Sequence, residues 1–126
     1  MSQRLLDEII KTLVAQKIGA IVVTTSDGQV SGIVSERDVV RAVSEEGGSA
    51  LSEPVSRFMT KRVVTCTKDD TVAELMSSMT AGRFRHLPVV EDGRLAGIIS
   101  IGDVVKERIA EAEHEAQAMR EYIATG

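Results

Sequence analysis

The chain has no tryptophan, one tyrosine, two phenylalanines, one cysteine, two prolines and two histidines in 126 residues. Each scarcity closes a class of function. One thiol, Cys66, cannot form an internal disulfide, and beside two distant histidines it does not make a metal-ligand set. So few rings leave little on which bases could stack, and a formal net charge of -4 denies the basic face that a phosphate backbone requires. Apolar runs are short: the longest uncharged one, Ile18 to Val23, is strand-sized, against the roughly 20 residues of a transmembrane helix. The segment Met1 to Ile10 is amphipathic and mixed in charge, unlike a signal peptide. These features place the protein in the cytoplasm, with neither membrane nor nucleic acid as partner.

What is present is a balanced composition, 43% hydrophobic and 27% charged, which suits a globular domain. Two independent halves of this length would each be marginal, so the parts are expected to share a core. The strongest signal appears when the chain is laid on itself. Gln29 to Arg41 (QVSGIVSERDVVR) matches Arg94 to Lys106 (RLAGIISIGDVVK) at an offset of about 65 residues. Upstream, Leu5 to Ile10 matches Thr71 to Met76, and Lys17 to Val23 matches Arg83 to Val89, with one residue of slip in the following loop. The two halves are one duplicated unit.

Each unit reads as helix, strand, turn, strand, helix. Leu6, Ile9, Ile10, Leu13 and Val14 form one helical face; Val72, Leu75, Met76 and Met79 form its counterpart. Thr24 to Gly28 and Glu91 to Gly93 end in Asp-Gly, which tolerates positive φ between two apolar runs. Further helices are expected over Glu36 to Ser44 and from Ile101 onward. The second unit has a leading strand, Arg62 to Cys66, with a helix start at Thr67 to Asp70; the first unit begins directly in its helix. Glu45 to Ser49 reads as a flexible break and Pro54 to Thr60 as a short helical linker. The division is residues 1–48, a linker over 49–61, a second unit over 62–110, and a helical extension over 111–126.

Ser35-x-x-Asp38 and Ser100-x-x-Asp103 have the spacing of a capping box, which accounts for them structurally. Capping and binding can coexist. A strand ending Gly-apolar-apolar and turning into a helix leaves backbone N–H groups that favour phosphate, and a carboxylate one turn on can accept the hydrogens of a ribose diol. Arg37, in the first turn, sits where a cation opposes the helix dipole; it is either a phosphate ligand or a surface partner of Glu36 or another acid. Arg85 and His86 stand beside Pro88 and are within reach of a shared cleft, whereas Arg83 reads as solvent-facing. Pro88 opens an apolar strand. The methionines read as core or interface fillers and Cys66 as a small buried residue with no base to activate it. No Gly-x-Gly-x-x-Gly, Walker loop or Gly-x-Ser-x-Gly is present, so no catalytic residue and no metal site is assigned.

The order and duplication of these motifs resemble the CBS-domain pair, or Bateman module. The resemblance rests on Gly32-Ile-Val-Ser-Glu-Arg-Asp38, Gly97-Ile-Ile-Ser-Ile-Gly-Asp103, Arg83 to Val90, and Met59-Thr60 ahead of the leading strand. It implies an α/β (α+β) fold of tandem β-α-β-β-α repeats packed through their sheets, the first lacking its leading strand. It also implies clefts that take AMP, ADP, ATP or another adenosyl ligand. Carried over position by position, Asp38 and Asp103 take ribose hydroxyls, with Ser35 and Ser100 near ribose or phosphate. Adenine lies against Val64, Thr65, His86, Leu87 and Pro88 in the second repeat, or Ala20, Ile21 and Val22 in the first. With its wall complete, the Asp103 site is the favoured one.

The expected function is a non-catalytic ligand sensor acting in signal transduction, through conformation or assembly, on a separate regulated protein. No catalytic cofactor is expected. The alternatives are a ligand-independent dimerisation module and a sensor of NAD(H)-type dinucleotides. Val104, Val105, Ile109, Ala112, Ala116, Met119 and Ile123 form a near-heptad stripe on the last helix, and such modules usually dimerise, so a homodimer is expected.

Overall fold

The computed structural model describes residues 4–125; Met1 to Gln3 of the amphipathic N-terminal segment, and Gly126 at the end of the expected extension, lie outside the described residues. The elements run α1 (Leu6–Gln16), β1 (Ala20–Thr24), β2 (Val30–Ser35), α2 (Glu36–Glu46), α3 (Val72–Gly82), β3 (His86–Glu91), β4 (Arg94–Ser100) and α4 (Ile101–Thr125). Each half is a helix, an antiparallel hairpin and a second helix, as the duplication implies. The hairpins share one register: Ala20 faces Ser35 as His86 faces Ser100, and Val23 faces Gly32 as Val89 faces Gly97. Each ladder slips at the same place, between Val23 and Thr24 and between Val89 and Val90. Lys17 and Arg83 end α1 and α3 in the left-handed conformation, at φ 54° and 56°.

The two turns differ. Asp92 and Gly93 both have positive φ, 52° and 76°, the geometry of a tight hairpin turn. In the first hairpin only Gly28 does, because a longer loop is closed by the Thr25 N–H donating to Gln29 O at 2.8 Å. That extra length is the slip seen in the sequence.

Each half keeps its own core rather than sharing one. Ile9, Leu13, Val34 and Val55 form one cluster in the first half, and Leu6, Ala42 and Ala50 a second. Cys66, Leu75, Met79, Leu87 and Val104 form the core of the other half. Leu6, Ile9, Val34, Met79 and Leu87 are 2% exposed or less, each contributing roughly 1.5–3 kcal/mol of burial. The repeats meet through their sheets: the Leu95 N–H of β4 donates to Gly28 O in the first turn at 2.8 Å, and His86 of β3 lies against Gly19.

The segment between the repeats corrects several expectations. Glu45 to Ser49 is not a flexible break: α2 runs to Glu46, a 3-10 turn covers Gly47–Ser52, and Ala50 is completely buried. The reason is apolar, since Ala50 and Val55 complete the first core, and Arg57 fastens this stretch by a two-pronged pair to Glu46, at 2.6 and 3.2 Å. Helical structure within Pro54 to Thr60 is confined to a 3-10 turn at Val55–Arg57. Nor is Arg62 to Cys66 a full strand. Thr60 exchanges backbone hydrogen bonds with Ile33 at the edge of β2, and six residues later Cys66 bridges Pro88 and Val90 beside β3. A chain crossing between two sheets cannot also run along one of them. Thr67 to Asp70 is a turn, and α3 starts at Val72 with the Thr71 hydroxyl accepting from the Glu74 N–H. Pro88 does not open β3: it is the third residue of the strand, buried, with its carbonyl accepting the Cys66 N–H.

Candidate functional site

The crossing segment creates the site. Where residues 60–64 pass between the sheets, they close one side of a cavity of about 510 Å³ whose other walls are the end of β2, the start of α2 and the loop from α3 into β3. That volume lies in the range of small-molecule pockets.

Ser35 and Asp38 stand at one edge, locked to each other. The Ser35 N–H and hydroxyl both donate to Asp38 Oδ2, at 2.8 and 3.1 Å, and the Asp38 N–H donates back to Ser35 Oγ at 3.4 Å. The capping box is therefore real, and it fixes the carboxylate while leaving Oδ1 unengaged among the described residues. Capping engages one oxygen and leaves the other open. Ser100 and Asp103 make the same box at 3.0, 2.9 and 3.2 Å. Donation from the Ser100 N–H and hydroxyl holds the Asp103 carboxyl below its ordinary value.

Of the residues expected at a ligand, Ala20, Ser35, Arg37, Asp38, Val64, Arg85 and His86 line this one cavity. Ser100, Asp103, Thr65, Leu87, Pro88, Ile21 and Val22 do not. The cavity thus sits at Asp38, the site expected to be the less complete, and Val64 lines it together with Asp38. The cause is the crossing segment, which stands opposite Asp38, whereas the exposed Asp103 lies outside the cavity it closes. Ile21 turns away because neighbouring strand residues face opposite sides, and it packs into the first core. Leu87 and Pro88 are buried.

Sequence reasoning missed Arg41, Thr60, Arg62, Val63 and Phe84, all of which line the cavity, and treated Arg83, exposed but at its rim, as merely solvent-facing. Arg41 was findable, being one turn beyond Arg37 on the same helical face. The others were not, because their placement follows from the crossing. His86 is half-buried: desolvation pushes its imidazole below the ordinary value and Arg85 adds to this, while Glu36 and Asp103 pull the other way. The Cys66 thiol, pushed up by burial and then by Asp70, is a core group. Among the described residues no group of three or more His, Cys, Asp or Glu side chains is placed to hold a metal ion.

Two Ser/Asp-capped hairpin repeats in one register, meeting around a cavity, are matched by a known family: the family model for the CBS domain covers residues 4–45 and 55–110. The chain belongs to the CBS-domain family. A mitochondrial CBS domain-containing protein of Arabidopsis thaliana is 35% identical over 94% of this chain. The chain spans 60% of that relative's length and about one fifth of several longer ones, such as another Arabidopsis CBS protein at 20%. Among solved structures, a CBS-domain containing protein from Agrobacterium tumefaciens is similar at 58% identity, with a TM-score of 0.79 over 82% of each chain. A CBS domain protein from Pyrobaculum aerophilum, solved as a complex with AMP, is 29% identical, with a TM-score of 0.72 over 79% of this chain and 76% of its own. This CBS pair has, among the described residues, no helix long and apolar enough to cross a membrane.

Proposed function

We propose that this CBS pair is a non-catalytic regulatory module that binds an adenine nucleotide in the Asp38 cleft and signals by a change of conformation or assembly. The observation that carries the reading is one cavity uniting a pre-oriented carboxylate, apolar surface from Ala20, Ile33, Val63 and Val64, and cations from both repeats. Asp38 Oδ1 takes a ribose hydroxyl, the valines flank adenine, and phosphate meets the Ser35–Arg37 turn and Arg85. The AMP complex of the Pyrobaculum relative supports the ligand class. A ligand wedged between the repeats acts by preferring one arrangement of them, which a separate regulated protein reads. The two repeats are taken as 1–48 and 62–110, and the cytoplasm as the compartment. Isothermal titration with AMP, ADP, ATP, NADH and S-adenosylmethionine tests the proposal; saturable binding of an adenine nucleotide at one site per chain is expected. Competition between NADH and AMP tests the dinucleotide alternative.

The second reading is a ligand-independent assembly module, favoured by apolar surface left open. Val105, Ile109, Met119 and Ile123 on α4 are 42–70% exposed, and only Val104 of their stripe is buried in the chain. A second apolar groove lies between α1 and α2, lined by Ile10, Val14, Ile18, Val39 and Val40. Homodimerisation through such faces is the proposed assembly. It is compatible with nucleotide binding unless the dimer forms without regard to ligand and the cleft binds nothing.

A further inference from the structure

We infer that the Asp38 cleft is built for a polyphosphate chain, so that it selects nucleoside di- and triphosphates over the monophosphate and over uncharged or cationic adenosyl compounds. This rests on the reading of the cleft as an adenine-nucleotide site and goes on to name what discriminates among such ligands.

The reason is the density and disposition of guanidinium groups. Arg37, Arg41, Arg62, Arg83 and Arg85 all line the cavity, against two carboxylates, Glu36 and Asp38. In a chain of net charge -4 this is a strong local reversal. None of the five has an ion-pair partner among the described residues; the arginine pairs of the structure are made by Arg4 and Arg57. Asp38 is moreover committed through Oδ2 to its capping box.

The arrangement carries a cost in the free protein. Arg37 opposes the dipole at the start of α2, and Arg37 and Arg41 are like charges one turn apart on the same helix. An anion that bridges them offsets that repulsion. A guanidinium presents a fork of donors that matches phosphate oxygens, so one or two arginines satisfy a monophosphate. Five, drawn from α2, the crossing segment and the α3–β3 loop, provide for further phosphates along the cleft. Because Arg37 and Arg41 belong to the first repeat and Arg83 and Arg85 to the second, a longer phosphate chain would hold the two repeats through more of these groups than AMP would.

The other Ser/Asp motif gives an internal comparison. By the register of the duplication, the positions of Arg37, Arg41, Arg83 and Arg85 are held there by Gly102, Lys106, Lys17 and Gly19. The capping geometry is duplicated and the arginine cluster is not.

The test is titration of the full chain with AMP, ADP, ATP, adenosine and S-adenosylmethionine, without magnesium and at two ionic strengths. It is repeated on Arg83→Gln and on Arg41→Gln/Arg62→Gln, with thermal melts to establish folding. ADP or ATP at least tenfold tighter than AMP, a steeper loss with salt for ATP, and collapse of the preference in either variant with AMP affinity within threefold of the parent are expected. If AMP, ADP and ATP all bind within threefold of one another, this inference is overturned and the nucleotide-site reading stands. If none of the adenine compounds binds, the site reading itself fails, and the inference with it.

Discussion

The imidazole of His86, at the head of the second hairpin, lies against the backbone of Gly19, just ahead of the first: a Cβ on Gly19 would stand 3.3 Å from His86 Cε1. The two repeats therefore touch at a residue with no side chain, at the edge of the cleft. Gly19→Val should push the imidazole aside and part the walls. We expect nucleotide affinity to fall by at least threefold and stability by about 1–3 kcal/mol, read by titration and by urea denaturation. Unchanged binding would mean that this contact does not shape the cleft.

The duplicated glycines of the second strands should respond differently. A Cβ on Gly32 would come within 2.7 Å of Met59 Sδ and 2.9 Å of Thr60 O, whereas one on Gly97 would meet nothing within 4 Å. Gly32→Ala is expected to cost about 1–3 kcal/mol by displacing the crossing segment, and Gly97→Ala to stay within about 0.5 kcal/mol. Equal effects in chemical denaturation would show that the crossing segment is not held against β2 in solution.

Capping and ligand binding separate at the two aspartates. Removing either carboxylate deletes a capping box, and Asp38→Ala and Asp103→Ala should each cost about 0.5–2 kcal/mol. Only Asp38 lines the cavity. Asp38→Ala is expected to weaken nucleotide binding at least tenfold and Asp103→Ala to leave it within threefold. The reverse pattern in a titration would move the site to the second repeat.

Burial holds the His86 imidazole below its ordinary value, with Arg85 acting in the same sense and Glu36 and Asp103 against it. Between the folded and unfolded values the unfolded chain binds the extra proton, so stability rises with pH there and is lost as pH falls below the ordinary histidine value of about 6.5. His86→Gln should flatten that part of the stability profile between pH 7 and 5. A parallel profile in the variant would assign the acid sensitivity to other groups.

The unpartnered stripe of α4 predicts self-association. Ile109→Glu/Met119→Glu, at positions 53% and 60% exposed, should turn a dimer into a monomer in sedimentation equilibrium while leaving the melting temperature of the monomeric fold within a few degrees. A parent chain that is monomeric at tens of micromolar would remove the proposed homodimer.

The duplication, the alternation of helix and hairpin, both Asp-Gly turns and both Ser-x-x-Asp caps were determined by local sequence. Each depends on residues within a few positions of one another: periodicity selects the helix face, positive φ selects Asp-Gly, and a hydroxyl three residues before a carboxylate selects the cap. Tertiary structure decided what happens between the repeats. Residues 50–60 fold onto the first core because Ala50 and Val55 find apolar partners there, which no nearby residue announces. The chain then leaves the edge of β2 at Thr60 and reaches β3 only at Cys66, so Arg62, Val63 and Val64 wall the first Ser/Asp motif and not the second. Two motifs nearly identical in sequence thus differ in their surroundings, because a site is made by what stands opposite it, and contacts between residues distant in the chain decide that.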